Sequence, residues 1–132
     1  MMWTWLAYRT LDGKKVVQDW FRALPEEARD ELRDAMSYLG NVPNHMWKRP
    51  WFDMLEGGIG EIRRKVVALK TQYRIYGCFG PPRLHFTCLI GATKKNGTHD
   101  PPSAKQTAKK RKNEVERTHL TATGSLVHEL DF

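Results

Sequence analysis

The chain has 132 residues, of which 40% are hydrophobic and 28% charged, and its net charge is +7 at pH 7. This length fits one domain with one modest core, and no apolar run approaches the roughly 18 residues that a membrane-spanning helix needs. The first residues show no basic segment followed by an apolar one. We therefore expect no secretion signal, a cytoplasmic location and no membrane partner.

The positive charge is concentrated in the second half of the chain. Residues 1–59 hold 8 Lys+Arg and 9 Asp+Glu, whereas residues 60–117 hold 14 Lys+Arg and 4 Asp+Glu. A one-sided basic surface points first to a phosphate-rich partner and second to an acidic protein, and solubility alone is the third explanation.

The first half of the chain predicts one strand and two helices. Residues 3–9 are rich in aromatics, which is typical of a short strand. Apolar residues recur at helical spacing over residues 15–24, and a second helix follows with Pro25 at its first position and Gly40 as its cap. Residues 41–53 contain two prolines and two tryptophans without a clear period, so we predict a connecting loop that can pack its aromatics against the domain.

The second half predicts a three-stranded meander. Apolar residues alternate with polar ones in IGEIRRKVVAL and QYRIYGCF, and LHFTCLIGA is nearly all apolar. This alternation puts Arg63 and Arg74 on the same face of neighbouring strands, with the core on the other face. We predict an α+β fold in which a small antiparallel sheet, made of the N-terminal strand and the meander, packs against two N-terminal helices.

A basic C-terminal helix is predicted to follow the sheet. Asp100 can cap this helix, which runs to about Arg117 and keeps the cations of Lys109–Lys112 in water. We predict one domain over residues 1–117 and a tail over residues 118–132 that is flexible, docks weakly or awaits a partner. The apolar stripe of the helix consists of Ala104, Ala108, Val115 and Leu120.

The two cysteines are predicted to be reduced and buried. If Gly80–Arg83 turns a hairpin, Cys78 lies opposite His85 and Cys88 lies opposite Ile75. A disulfide needs α-carbons within about 7 Å of each other, which this register does not provide.

Several kinds of catalytic site lack their motifs in this sequence. There is no glycine-rich phosphate loop, the five histidines and two cysteines show no metal-ligand spacing, and the basic half lacks the acidic pairs of two-metal nucleases. We therefore expect a site without a metal or cofactor. The remaining candidates are Arg63, Arg74, Lys94, Lys95 and His99.

Such groups suit the cleavage of RNA, because its 2′-hydroxyl can attack the adjacent phosphate without a metal. The attack needs a proton acceptor and a cation that stabilises the phosphorane. The arginine fork binds two phosphate oxygens and stays charged. The acceptor is either a lysine crowded by other cations or His99.

Four sequence runs, in this order of elements, resemble a known family. The runs LEGGIGEIRRKV, QYRIYGCF, GATKKNGTHDPP and AKQTAKKRKNEVER, between about Trp20 and Arg117, are similar to the RelE/ParE superfamily of toxins and in particular to its HigB-type, phage-derived branch. The resemblance implies a RelE-like fold and a toxin that enters the A site of the 70S ribosome, cleaves messenger RNA and is neutralised by a cognate antitoxin, which we expect to carry a helix-turn-helix.

The resemblance also places residues in the site. Arg63 and Arg74 match the family's arginines on the first two meander strands, and Lys94 and Lys95 match the basic pair that closes the third. We expect the arginines to stabilise the transition state and the lysines to grip or activate the scissile nucleotide. The residues expected to contact messenger or ribosomal RNA are Lys65, Lys105, Lys109, Lys110, Arg111 and Lys112.

The chain departs from that branch in its aromatic residues. Thr93 precedes the basic pair where the branch usually has an aromatic residue, and between Lys95 and Arg117 only His99 can replace the tyrosine of some members. Two alternatives therefore stay open. One is a non-catalytic binding protein of the same fold, such as a gyrase-inhibiting toxin or a phage nucleic-acid-binding protein, and the other is an inert remnant.

Overall fold

The computed structural model describes the backbone of residues 1–121 and 125–132 and the side chains of residues 1–118 and 125–132. Within these ranges the chain forms three α-helices and a mixed sheet. The elements in chain order are β1 (Thr4–Tyr8), α1 (Val16–Arg22), α2 (Glu26–Gly40), β2 (Phe52–Met54), β3 (Gly60–Val66), β4 (Thr71–Phe79), β5 (His85–Lys95), β6 (Thr98–Asp100), α3 (Ala104–Thr121) and β7 (Val127–Glu129).

The predicted α+β fold is confirmed, with the meander β3, β4 and β5 at the centre of the sheet. The spatial order is β2, β3, β4, β5, β1 and β7, and β6 pairs with the end of β5. The sheet is mixed rather than antiparallel throughout, because β1 lies parallel to β5. Parallel neighbours need a long crossover connection, and the chain between these two strands includes α1 and α2.

The helices cover both faces of the sheet. On one face the indole of Trp20 in α1 packs directly on the backbone of Gly91, where a β-carbon would collide with it. On the same face, Arg64 of β3 forms an ion pair with Glu31 of α2 at 2.6 Å. On the other face α3 lies over β4 and β5, with Ala104 and Ala108 buried.

The core is dominated by aromatic side chains. Their ring centroids lie 4.9 to 6.1 Å apart in the contacting pairs. Trp47 lies in the segment predicted as a connecting loop, and it is buried with its indole N–H donating to the Leu39 carbonyl at 2.9 Å. The expected packing of that loop is thus confirmed, although the segment ends in the start of β2. The cluster consists of Trp3, Trp5, Trp47, Phe52, Phe79 and Phe86.

Two predicted details near the basic helix are corrected. Asp100 does not cap α3, because it lies in β6 opposite Thr93 and the helix begins at Ala104. The helix continues to Thr121 rather than ending near Arg117. Of the predicted apolar stripe, Ala104, Ala108 and Val115 are buried, and the Leu120 side chain lies outside the described part.

The end of the chain returns to the sheet. β7 pairs antiparallel with β1, and Leu126 and Leu130 on either side of it are buried. The Gln18 side chain accepts a hydrogen bond from the Asp131 backbone N–H at 2.7 Å. Residues 125–132 therefore dock on the domain.

Both cysteines are free and buried, as predicted, but their register differs from the predicted one. Cys78 faces Thr87 and Cys88 faces Gly77. The pairing shifts because Tyr76 faces Ile90 while Gly77 faces Cys88, which leaves Leu89 as an extra residue in β5. Because of this β-bulge, the Leu89 carbonyl is available to accept a hydrogen bond from Arg111 of α3.

Candidate active site

Three neighbouring strands bring most of the predicted site residues to one face of the sheet. Arg63 lies directly opposite Arg74, and in the next row Lys65, Gln72 and Lys94 lie side by side. His99 of β6 is opposite Lys94. Directly opposed residues share a face and side chains alternate along each strand, so all of these groups lie on the sheet face that also carries α3.

A buried carboxylate holds the two arginines. Glu61 lies two residues before Arg63, and only 4% of its side chain is exposed. One of its oxygens, Oε1, lies 2.9 Å from Arg63 Nε, and the other, Oε2, lies 3.5 Å from Arg74 Nη1. Like charges directly opposite each other on a sheet repel. The single carboxylate offsets that repulsion and fixes the two guanidinium groups relative to each other.

Arg74 is the most enclosed cation of the site. Its side chain is 11% exposed, and its Nη2 donates to Gln72 Oε1 at 2.7 Å. Its Nε is buried and has no hydrogen-bond partner among the described residues. Buried polar atoms without a partner are rare in native structures, so this N–H sets Arg74 apart from the other cations of the site.

Arg74 also stands where two open cavities meet. The first has a volume of about 380 Å³ and extends along β3, with Arg63, Lys65 and Gln72 in its wall. The second has a volume of about 340 Å³ and extends under α3. Both volumes lie at the lower end of the range of small-molecule sites, about 300 to 1,000 Å³.

The second cavity contains the candidate proton-transfer group. His99 lines it together with Tyr76, and Lys105 and Lys109 of α3 form the opposite wall. Burial raises the pKa of the Tyr76 phenol above its ordinary value, while Arg74 opposes this rise and Glu61 adds to it. Tyr76 is therefore a neutral hydrogen-bonding group at pH 7.

The predicted pair of lysines is split by the sheet. Lys95 lies opposite Thr71 and Thr98, one residue beyond Lys94, and is exposed on the other face. Of the two lysines, the structure places only Lys94 on the face of the arginines, because consecutive strand residues point to opposite faces.

The basic run of α3 is also divided. Lys105, Lys109 and Lys110 are exposed, as predicted for groups that contact RNA. Arg111 is half-buried and donates to the bulge carbonyl of Leu89 at 2.8 Å, while its guanidinium lies 4.6 Å from the ring centroid of Tyr8.

These contacts take Arg111 and its neighbour out of the exposed basic surface. Burial lowers the pKa of Arg111, and the nearby Tyr8 and Glu114 oppose that shift. Lys112 is half-buried and forms an ion pair with Glu116 at 3.0 Å. Arg111 therefore attaches α3 to the sheet, and the Lys112 charge is paired within α3 itself.

Two residues of the site were not singled out from the sequence. Glu61 and Gln72 both contact Arg74. The alternation of β3 places Glu61 on the face of Arg63, so its position beside Arg63 could have been predicted from the sequence. Its contact with Arg74 depends on the register between the strands and could not. Among the described residues there is no group of three or more metal-ligating side chains, and no helix is long and apolar enough to cross a membrane.

The architecture is consistent with a small α+β toxin fold, and its cationic cluster lies on the sheet face that carries α3. Residues 19–113, well over half of the chain, match the family described as phage derived protein Gp49-like (DUF891), and the chain belongs to this family. The family is related to RelE-like toxins. Comparison with curated protein sequences gives no match.

Proposed function

We propose that the chain is the toxin of a toxin–antitoxin pair of the HigB type, and that it is a ribosome-dependent endoribonuclease that cuts messenger RNA without a metal. The observation that supports this most is the pair Arg63 and Arg74, which face each other across β3 and β4 and share the buried Glu61 carboxylate. The chain's membership of a toxin-related phage family is consistent with it.

The proposed reaction is an internal attack by RNA. The 2′-hydroxyl oxygen bonds to the adjacent phosphorus, and the bond from phosphorus to the 5′-oxygen of the next nucleotide breaks. The products are a 2′,3′-cyclic phosphate and a 5′-hydroxyl. Negative charge develops on the phosphate oxygens, and a preorganised cation or donor there is worth about 10²-fold to 10³-fold in rate.

Each group of the site has a proposed role. Arg74, which lines both cavities, binds the scissile phosphate, and Arg63 and Lys94 add positive charge beside it. His99 shares the second cavity with Arg74 and accepts the proton of the 2′-hydroxyl, because imidazole can exchange protons near neutral pH. The 5′-oxygen takes its proton from the protonated imidazole or from water.

The exposed lysines of α3 have a different proposed role. Lys105 and Lys109 continue the positive surface from the second cavity, and Lys110 lies next to them on α3. We assign these three to the backbone of ribosomal RNA around the A site, where affinity comes mainly from phosphate contacts. The proposed partners are thus the ribosome with its messenger RNA, in the cytoplasm, and a helix-turn-helix antitoxin.

The test is a map of messenger RNA 5′ ends after induced expression in growing cells. Wild type is compared with His99→Ala, which changes an exposed side chain, and with Arg74→Lys, which keeps the charge but loses the fork. Arg83→Ala removes an exposed arginine from the turn before β5 and is the matched control.

We expect new 5′ ends inside translated frames for wild type and the control, and a large loss of them for the two site variants. Growth arrest with intact messages would instead support the non-catalytic relative. Harmless expression of wild type would support an inert remnant. Cleavage by purified protein on ribosomes in the presence of a chelator tests the metal-independence directly, once the ribosomes are shown to stay intact.

A further inference from the structure

The first cavity extends the cationic surface from Arg74 to an open edge of the sheet. β2 pairs with β3 only as far as Ile62, and the next backbone N–H, that of Arg63, donates to the Trp51 carbonyl at 2.8 Å. Beyond this point β3 has no neighbouring strand on that side in the described part of the chain. Arg49, from the loop before β2, lines the cavity here.

The lining of this cavity is strongly cationic. Three carboxylates pair with four of its five cations: Glu61 with two, Glu31 with one and Asp53 with one. None of these carboxylates is among the lining residues, so a ligand in the cavity meets an excess of positive charge. The chemistry favours a phosphodiester. The five lining cations are Arg49, Arg63, Arg64, Lys65 and Arg74.

Two of these cations, Lys65 and Arg49, are exposed enough to contact a ligand. Lys65 is exposed and forms no salt bridge within the described residues, and the Arg49 side chain is 66% exposed in a surface pair with Asp53 at 2.9 Å. Exposed pairs of this kind are weak and exchange easily. Arg64, in contrast, donates both Nε and Nη2 to one oxygen of Glu31 and holds α2 on the sheet.

We propose that the first cavity binds the phosphodiester next to the scissile one, with Arg49 and Lys65 as its ligands. The inference rests on the proposed function, because it extends the same RNA strand by one nucleotide. Lys65 follows Arg63 on the same face by two residues, about 6.6 Å along β3. A single strand that passes from the second cavity over Arg74 therefore reaches Lys65 and Arg49 at its neighbouring phosphate.

The test uses short synthetic messenger RNAs on ribosomes with purified protein. After the cut has been mapped, a neutral methylphosphonate replaces the phosphate on its 5′ side in one RNA and on its 3′ side in another. Wild type is compared with the double variant Arg49→Ser and Lys65→Ser. Arg22→Ser is the matched control, because Arg22 is also an exposed arginine in a surface pair, with Asp131 at 3.0 Å.

We expect one of the two methylphosphonates to slow wild type about tenfold, as for the loss of one charged hydrogen-bonded contact. The double variant should cut unmodified RNA more slowly than wild type by a similar factor, and the same methylphosphonate should not slow it further. Arg22→Ser should cut both RNAs like wild type. Thermal melting of each variant checks that the fold is intact.

Two results would overturn this inference and leave the proposed function standing. In the first, the double variant cuts unmodified RNA as fast as wild type does. In the second, the methylphosphonate slows the double variant by the same factor as it slows wild type, so that the two losses multiply. A wild-type protein that cuts no ribosome-bound messenger RNA overturns the proposed function, and this inference with it.

Discussion

The strongest structural prediction concerns the carboxylate between the two arginines. Glu61→Gln keeps the shape of the side chain and one hydrogen-bond acceptor but removes the charge that pairs with Arg63 and Arg74. Removing one partner from a fully buried ion pair costs about 3 to 5 kcal/mol. Here the arginine side chains are 21% and 11% exposed, so water offsets part of that cost. We expect a loss of about 2 to 3 kcal/mol.

The assay is thermal unfolding followed by circular dichroism. For a chain of 132 residues, each kcal/mol corresponds to about 3 to 5 °C, so the Tm of Glu61→Gln should fall by roughly 10 °C. Glu56→Gln makes the same change at an exposed residue of the loop before β3 and should leave the Tm nearly unchanged. Sulfate should then raise the Tm of Glu61→Gln more than that of wild type, because an anion can bind between the unpaired arginines.

A clear result would refute this reasoning. If Glu61→Gln melts within about 2 °C of the Glu56→Gln control and sulfate raises both equally, the carboxylate does not hold the two guanidinium groups together, and the preorganisation assigned to the site is wrong.

Two further predictions concern the packing around α3 and the thiols. Arg111→Ala loses a hydrogen bond to a backbone carbonyl and a contact with an aromatic ring, so the free energy of unfolding in urea should fall by about 2 to 3 kcal/mol, whereas Lys110→Ala at the exposed neighbour should change it by less than about 0.5 kcal/mol. Equal losses would contradict the conclusion that Arg111 attaches α3 to the sheet. Burial raises the pKa of Cys78 to about 11 and that of Cys88 still further, so at pH 8 neither is a reactive thiolate. Intact mass should show no iodoacetamide adduct on the native protein at pH 8 and two adducts in guanidinium, and rapid labelling of the native protein would contradict the burial.

The local pattern of the sequence predicted the elements that form the site. The alternation in residues 59–79 requires only neighbouring side chains, and it placed Arg63 and Arg74 on one face as the structure has them. The same alternation already separates Lys94 from Lys95, although the resemblance to the toxin family treats them as a pair.

What the sequence alone determined is therefore the four longer strands, the three helices, their buried faces and the positive charge on the sheet face of Arg63 and Arg74, because these depend on periods of two or 3.6 residues. The short strands β2, β6 and β7 were not predicted. Only the tertiary structure decided which partners meet: the parallel pairing of β1 with β5, the return of β7, the sharing of Glu61 by two arginines, and the hydrogen bond of Arg111 to the Leu89 carbonyl. Each of these depends on the register between strands, or on contacts between residues far apart in the chain, and no local period contains that information.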